Sequence, residues 1–387
     1  MRILIAGDTF PPHINGAARF SERLGQGLAR RGHEVHQAAP STSLRNYTEE
    51  VENVVIHRIR SYPFWALDDF RWVAPWDAFP DMARIVAEVQ PDVIHIQNSA
   101  YVGRSAALQA SLHGIPLVAT NHFMPENVMK QLPVPKALQH AATMALFRDI
   151  KHVYSRAQVL TAPTPRAVAI LEQSAKLSGG LAVSCGVDTP VYAAAAAAAA
   201  PHAVPVILYV GRLDPEKHIN ELIEAVAGLP DDRPYRLEII GDGIEHAHLV
   251  KLAAAKGLGS DKAHFFGFVS ERELVEAYGR CDIFCIPGIA ELQSLVTLEA
   301  MSAGKPVIAA NAMALPHLVH PNDNGWLYTP GDIAELRGHL EKLLASPDER
   351  HRMGLESQRI VAKHGLDATL QKYETLYERA ISAVKNA

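Results

Sequence analysis

Short β-branched runs alternate with segments of helical period along the whole chain. In the first half, strands are expected at Arg2–Ala6, Glu34–Ala39, Val54–Arg58, Val93–Ile96, Leu117–Thr120 and Gln158–Thr161. Between the first two, Phe20, Leu24 and Leu28 recur four apart over Ala17–Arg30, which predicts one buried helical face. Gly32 then stops that helix as a C-cap glycine would. The second half restarts the pattern, with strands expected at Val206–Val210, Arg236–Ile240, Ala263–Phe266, Ile283–Ile286, Val307–Ala309 and Gly325–Tyr328. Helices are expected between them, at Ile219–Ala227, Ala247–Lys256, Glu271–Arg280 and Leu298–Ala303.

Strands alternating with helices are the mark of βαβ units and a parallel sheet, so the fold class is α/β. Two successive Rossmann-like halves are the simplest architecture. The alanine run Ala193–Ala200 can form a short helix, but its place between two sheets and beside Pro201 and Pro205 favours a linker. After Asp332 the chain reads as almost wholly helical and ends with Leu366–Val384. There Tyr373, Leu376, Tyr377 and Ala380 share a face that needs apolar cover, and crossing back to the first domain would supply it. The expected division is a first domain over 1–190, a linker over 191–204, a second domain over 205–365, and a returning helix over 366–387.

A length of 387 residues suits two domains with separate cores. The 37 Lys+Arg against 42 Asp+Glu give a net charge of −5, which argues against a broad basic face for nucleic acid. Cys185, Cys281 and Cys285 are too few for a disulfide framework and lack zinc spacing, so they read as core thiols. The chain opens directly on a strand pattern and has no bilayer-length apolar run, so the expectation is a cytoplasmic protein.

The chemistry-bearing segments follow strands. Gly7 to Gly16 links the first strand to a helix, and such a loop can aim backbone N–H groups at an anion. Gly16, having no Cβ, lets a ligand approach its amide. Gly211-Arg212-Leu213-Asp214-Pro215-Glu216-Lys217 repeats the arrangement in the second half. Two cations there suit a diphosphate, Arg212 by bidentate bonds and Lys217 as a point charge; a solvated surface pair fits the same residues. Glu291 and Glu299 are eight apart and can hold hydroxyls on two rings of one extended ligand, or else serve a helix N-terminus and a buried pairing.

The order Pro11-Pro12…Gly16, His122, Arg212…Lys217 and Glu291…Glu299 resembles the retaining enzymes of glycosyltransferase family 4, which have the GT-B fold. Gly186-Val187-Asp188 is similar to the family's NGVD segment, with Cys185 in place of Asn. The most specific stretch is the E-x7-E element followed by Ala300-Met301-Ser302-Ala303-Gly304-Lys305-Pro306. The resemblance implies two Rossmann-like domains whose parallel sheets face a central cleft, a nucleotide-sugar donor with UDP and GDP both open, and retention at the anomeric carbon. It implies that Gly16 approaches the donor phosphate and that Arg212 and Lys217 neutralise the leaving diphosphate. Glu291 is implied to hold sugar hydroxyls, Glu299 the ribose, and the amides near Ser294 and Leu295 the sugar or phosphate. Gly211, Gly241-Asp242-Gly243 and the Phe268-Val269 pair would line the nucleotide, and His122 would contact the transferring sugar. Asn15 and Glu126 are assigned to the acceptor side.

Two positions depart from the family. Asn15 stands where a glycine is common, and Ser294 stands where a glycine often lies against the sugar. No Asp-x-Asp occurs, so cationic side chains and helix N-termini are expected to do the work of a metal, and neither metal nor cofactor is expected. The expected acceptor is a membrane lipid or lipid-linked glycan, with peripheral membrane contact through the basic amphipathic stretch Lys130–Arg156. A nucleotide-sugar 2-epimerase of the same fold, a transferase acting on a small soluble acceptor, and a non-catalytic sugar-binding protein are the rival readings.

Overall fold

A computed structural model describes all residues except 14, 65–70, 124–134, 231–233 and 387. The chain forms two compact units, one of Met1–Cys185 with Asp367–Ala387 and the other of Gly186–Leu366.

The first unit is built on β1 (Arg2–Ala6), β2 (Glu34–Pro40), β3 (Tyr47–Val51), β4 (Val54–Ile59), β5 (Tyr62–Pro63), β6 (Arg71–Trp72), β7 (Val93–Ile96), β8 (Leu117–Thr120), β9 (Val159–Ala162) and β10 (Leu181–Ala182). Apart from a small β5–β6 hairpin, these make one sheet in the order β10-β9-β8-β7-β1-β2-β4-β3. Every pairing in that sheet is parallel except β3 with β4. The β3–β4 hairpin turns on Glu52 and Asn53, both at positive φ (51° and 61°), as a two-residue turn matched to strand twist requires. Its first strand is half-exposed and rich in Glu, which is why hydrophobicity alone does not reveal it.

Asn15 opens the Gly16–Arg30 helix by accepting from the Ala18 N–H at 2.9 Å. Phe20, Leu24 and Leu28 are buried as the four-residue spacing predicts. The last helix, Leu366–Lys385, buries Leu370, Tyr373, Leu376, Tyr377 and Ala380. From Asp367 onward it belongs to the first unit, where Arg31 pairs with Glu374 at 2.8 Å and His33 with the same carboxylate at 3.0 Å.

The second unit carries β11 (Val206–Val210), β12 (Arg236–Ile240), β13 (Ala263–Gly267), β14 (Ile283–Ile286), β15 (Val307–Ala310) and β16 (Gly325–Tyr328). All its pairings are parallel, in the order β13-β12-β11-β14-β15-β16. Counted within the unit, this is the 3-2-1-4-5-6 order of a dinucleotide-binding sheet, whose direction of winding reverses between β11 and β14.

The expected linker 191–204 is corrected by the structure. Thr189–Ala198 is a helix of the second unit, anchored by buried Tyr192 edge-on to Tyr278 at 5.4 Å. Its alanines permit close backbone approach: a Cβ on Gly279 would lie 2.6 Å from the Ala195 carbonyl oxygen. Pro201 and Pro205 lie beyond the helix end. All three cysteines are buried thiols outside any disulfide, and burial pushes Cys185 and Cys281 up to about 12, as core thiols require.

The stretch expected to meet a membrane is a helix over Lys136–Tyr154; Lys130 lies outside the described residues. Phe147, Ile150, Val153 and Tyr154 are core residues of the first unit, so the C-terminal half of this helix is occupied by packing. Leu138 and Met144 remain exposed in its N-terminal half. Among the described residues, no helix is long and apolar enough to cross a membrane.

Candidate active site

In an open parallel sheet, loops diverge at the reversal of winding and leave a crevice at the carboxyl ends of the strands. In the second unit that crevice lies past β11 and β14, and of the implied donor residues Gly211, Arg212 and Lys217 follow β11 while Glu291 and Ser294 follow β14. After β11 a single 3-10 turn, Pro215–Lys217, swings Lys217 round to Glu291 in the loop after β14, with Nζ to Oε1 at 2.5 Å. The loops are also tied by backbone, since the Ile289 N–H donates to the Glu216 carbonyl at 3.0 Å. Arg212 is half-exposed and pairs with Asp214, and with Glu216 at 3.0 Å. Burial raises the Asp214 carboxyl, with Arg212 opposing the shift.

The glycines of this edge are packed, not loose. Gly241 follows β12 with φ 128°, and a Cβ there would lie 1.9 Å from the Gly211 carbonyl oxygen. The Leu213 N–H donates to the Asp242 carbonyl at 2.9 Å, and the Gly211 N–H to Ile240 at 3.0 Å. Tyr209, fully buried, donates from its hydroxyl to the Arg212 carbonyl at 2.9 Å. Asp242 turns its carboxylate onto the Gly243 N–H at 2.8 Å. Past β13, Phe268 is exposed and Val269 half-buried.

Ser294 caps the Leu295–Ser302 helix, accepting from the Thr297 N–H at 3.4 Å and from its hydroxyl at 2.8 Å. Leu295 is thus the first helical residue and its amide stands at the N-terminus. Glu299 is buried one turn further on and accepts from the Tyr278 hydroxyl at 3.0 Å. The structure therefore joins Lys217 with Glu291 directly, and gives Glu299 a structural partner in Tyr278.

In the first unit the winding reverses between β1 and β7. Asp8, just past β1, accepts from the Val102 and Gly103 N–H groups at 2.9 and 3.1 Å, capping the Tyr101–His113 helix that follows β7. Burial raises Asp8 to about 6 in spite of these bonds. His122 follows β8, with its ring 4.8 Å from Phe20. Its Nε2 donates to the buried Gln97 Oε1 at 3.0 Å, and burial lowers its pKa to about 4. Beneath it lies a buried polar cluster. His95 Nδ1 meets the Tyr377 hydroxyl at 2.8 Å and its Nε2 the Thr120 hydroxyl at 2.6 Å; Thr120 also meets the Tyr373 hydroxyl at 3.2 Å. Gly16 is exposed at the helix N-terminus. Asn15 spends its carbonyl oxygen on that helix as a cap, so the residue assigned to the acceptor side has a local structural task. Glu126 lies outside the described residues.

Sequence reasoning missed Asp8 and Gln97. Asp8 is the second residue after β1 and Gln97 the first after β7, the two strands of the reversal; position alone was the signal.

Two measurements test this network. Gln97 has only an acceptor oxygen for Nε2–H, so it selects one tautomer of a neutral His122. Gln97→Glu places a carboxylate there and is expected to raise the His122 pKa from about 4 by about 1–3 pH units, read by two-bond 15N–1H spectra. An unchanged titration contradicts the contact. The second concerns stability. His95, at about 3, stays neutral in the folded chain while the unfolded chain binds a proton below about 6.5. The unfolded state thus binds more protons between those values, so stability falls as pH drops through that window, by up to about 1.4 kcal/mol per pH unit per such histidine. His122 acts with the same sign; Asp8, protonated up to about 6 when folded, opposes them between about 3.8 and 6. Urea midpoints are expected to drop from pH 7 to pH 5, and the drop to shrink in His95→Gln.

Two Rossmann-like sheets, one with a cation–carboxylate pair at its reversal point and the other with a histidine past a strand end, make up the architecture of GT-B glycosyltransferases. The comparisons agree. Residues 14–191 match the family described as Glycosyltransferase Family 4, and residues 194–359 match Glycosyl transferases group 1. The chain belongs to this group 1 / family 4 of glycosyltransferases and uses a nucleotide-sugar donor. It is 29% identical over 373 residues to a GDP-mannose-dependent alpha-mannosyltransferase of Mycobacterium tuberculosis, covering 93% of this chain and 92% of that protein. It is 25% identical to an alpha-monoglucosyldiacylglycerol synthase of Streptococcus pneumoniae, covering 90% and 79%. A sucrose-phosphate synthase from Thermosynechococcus elongatus shares the fold with a TM-score of 0.80 at 22% identity, covering 98% and 99%.

Proposed function

We propose that the chain is a retaining, metal-independent hexosyltransferase that takes mannose from GDP-mannose and passes it to a hydroxyl of a membrane lipid or lipid-linked glycan. The observation that carries the reading is the Lys217–Glu291 pair at the β11/β14 reversal, with Arg212 half-exposed beside it. As the sugar leaves, negative charge accumulates on the diphosphate. Lys217 and Arg212, held in place by Glu291, Asp214 and Glu216, supply positive charge there as they exchange those carboxylates for the diphosphate, the role a metal plays elsewhere. Glu291 orients the Lys217 ammonium and offers its other oxygen to sugar hydroxyls. His122, neutral near pH 7, donates or accepts a hydrogen bond to the sugar without adding charge. Retention then proceeds by front-face attack, the departing phosphate oxygen taking the acceptor's proton.

GDP-mannose is favoured by the mycobacterial relative, and a lipid acceptor by the streptococcal one. A thermal-shift panel of GDP-mannose, UDP-glucose and UDP-galactose tests the donor, since a selective ligand raises stability by mass action. GDP-mannose is expected to give the largest shift. GDP release should require an acceptor, survive exhaustive chelation, and yield an α-linked product by NMR. Release without an acceptor, activity restored only by magnesium, or a β-linked product each overturns the corresponding part.

A further inference from the structure

The first unit contains a cavity of about 450 Å³ that none of the donor residues line. Strand alternation builds its floor. Tyr47, Glu49 and Val51 of β3 and Val54, Ile56 and Arg58 of β4 are every second residue and so share a face. The Gly16–Arg30 helix roofs it with Glu22 and Gln26, and the loop after β1 closes one end with Phe10, Pro11 and Pro12.

Arg58 is only 7% exposed, an unusual place for a guanidinium. Its Nε donates to Glu49 Oε1 at 2.8 Å, its Nη1 to the Pro40 carbonyl at 3.2 Å, and its carbon lies 5.2 Å over the Phe10 ring. Among the described residues Nη2 has no partner, and neither has Glu49 Oε2. The Arg58–Glu49 pair thus brings a donor group and an acceptor group to a cavity also lined by aromatic and aliphatic side chains. The cation lining the cavity, Arg58, already pairs with Glu49, which leaves no net positive charge from that pair for an anion such as phosphate. A neutral ring with hydroxyls on its edge and C–H groups on its face satisfies both kinds of wall, and the volume lies in the small-ligand range.

We propose that this cavity is a carbohydrate subsite that holds a neutral sugar ring of the acceptor, adjacent to the ring that receives the transferred hexose. The proposal deepens the transferase reading and rests on it. Pro12 of the cavity wall is four residues from Gly16, so the two lie within at most about 14 Å along the chain. A glycan seated here therefore reaches the helix N-terminus at Gly16.

The test uses saturation-transfer NMR on the full chain with methyl α-D-mannopyranoside and, separately, myo-inositol, each at about 10 mM, above a millimolar Kd. Gln26→Trp and Val51→Trp fill the cavity from opposite walls at positions that are half-buried and exposed. The wild type is expected to show saturation transfer, and a variant with an unchanged melting curve to lose it. The thermal shift by GDP-mannose is expected to stay as in wild type in both variants. Absence of signal from both probes in wild type, or a signal surviving in both variants, overturns the subsite. Donor binding lost in the wild type itself would instead strike the transferase reading, so the two failures are distinct.

Discussion

Lys217→Ala is expected to lower kcat/KM by about 10²–10³-fold, the cost of removing one preorganised charge aimed at a developing anion. The lysine is placed by structure that the substitution leaves intact. Its own N–H donates to the Asp214 carbonyl at 2.9 Å, and His218, at φ 50°, turns the chain into the next helix. What the substitution removes is the ammonium, and with it the partner of Glu291, whose side chain is 12% exposed. A largely buried carboxylate left alone beside a diphosphate repels it, so donor affinity should weaken along with turnover. Lys217→Ala with Glu291→Gln should therefore fall less than the product of the single effects, because the second change removes that repulsion. Initial rates over donor concentration decide the matter. A Lys217→Ala enzyme within threefold of wild type would remove the basis of the proposed mechanism.

Gly241→Val is expected to unfold the donor-binding edge, costing at least about 3 kcal/mol and abolishing the thermal shift by nucleotide sugar. Two independent penalties act. The φ of 128° is one that a β-branched residue avoids, and the Cβ would meet the Gly211 carbonyl oxygen at 1.9 Å. Neither can relax alone, because the Gly211 N–H is bonded to Ile240 and the Gly241 N–H to Gly267 at 2.9 Å. Circular-dichroism melts read the stability, and a variant that melts like wild type would contradict the packing described.

Much of the architecture was legible because a parallel sheet buried on both faces must use short apolar runs. β1, β7, β8, β11, β12 and β14 lie where those runs lie. β3 was missed because it is a half-exposed edge strand with Glu49 and Glu50, and its pairing with β4 depends on a turn of Glu and Asn instead of the usual Asn-Gly. The alanine helix was read as linker because no periodicity distinguishes its faces; its packing against Gly279 supplies what the sequence pattern lacks. The same limit hid Gln97, a polar residue after a strand with no motif around it, whose role appears only when β7 and β8 lie side by side and bring it to His122.

By itself the sequence determined the buried strands of the two large parallel sheets, several of the helices between them, and which charged residues follow strand ends, since these depend on local propensity and periodicity. The tertiary structure alone decided who meets whom. Lys217 and Glu291, 74 residues apart, pair because crossover helices return β14 beside β11; Asn15 became a cap and Glu299 a partner of Tyr278 through contacts that no local pattern encodes. Strand order is settled by which buried faces fit together over long separations, and that information is spread over the whole core.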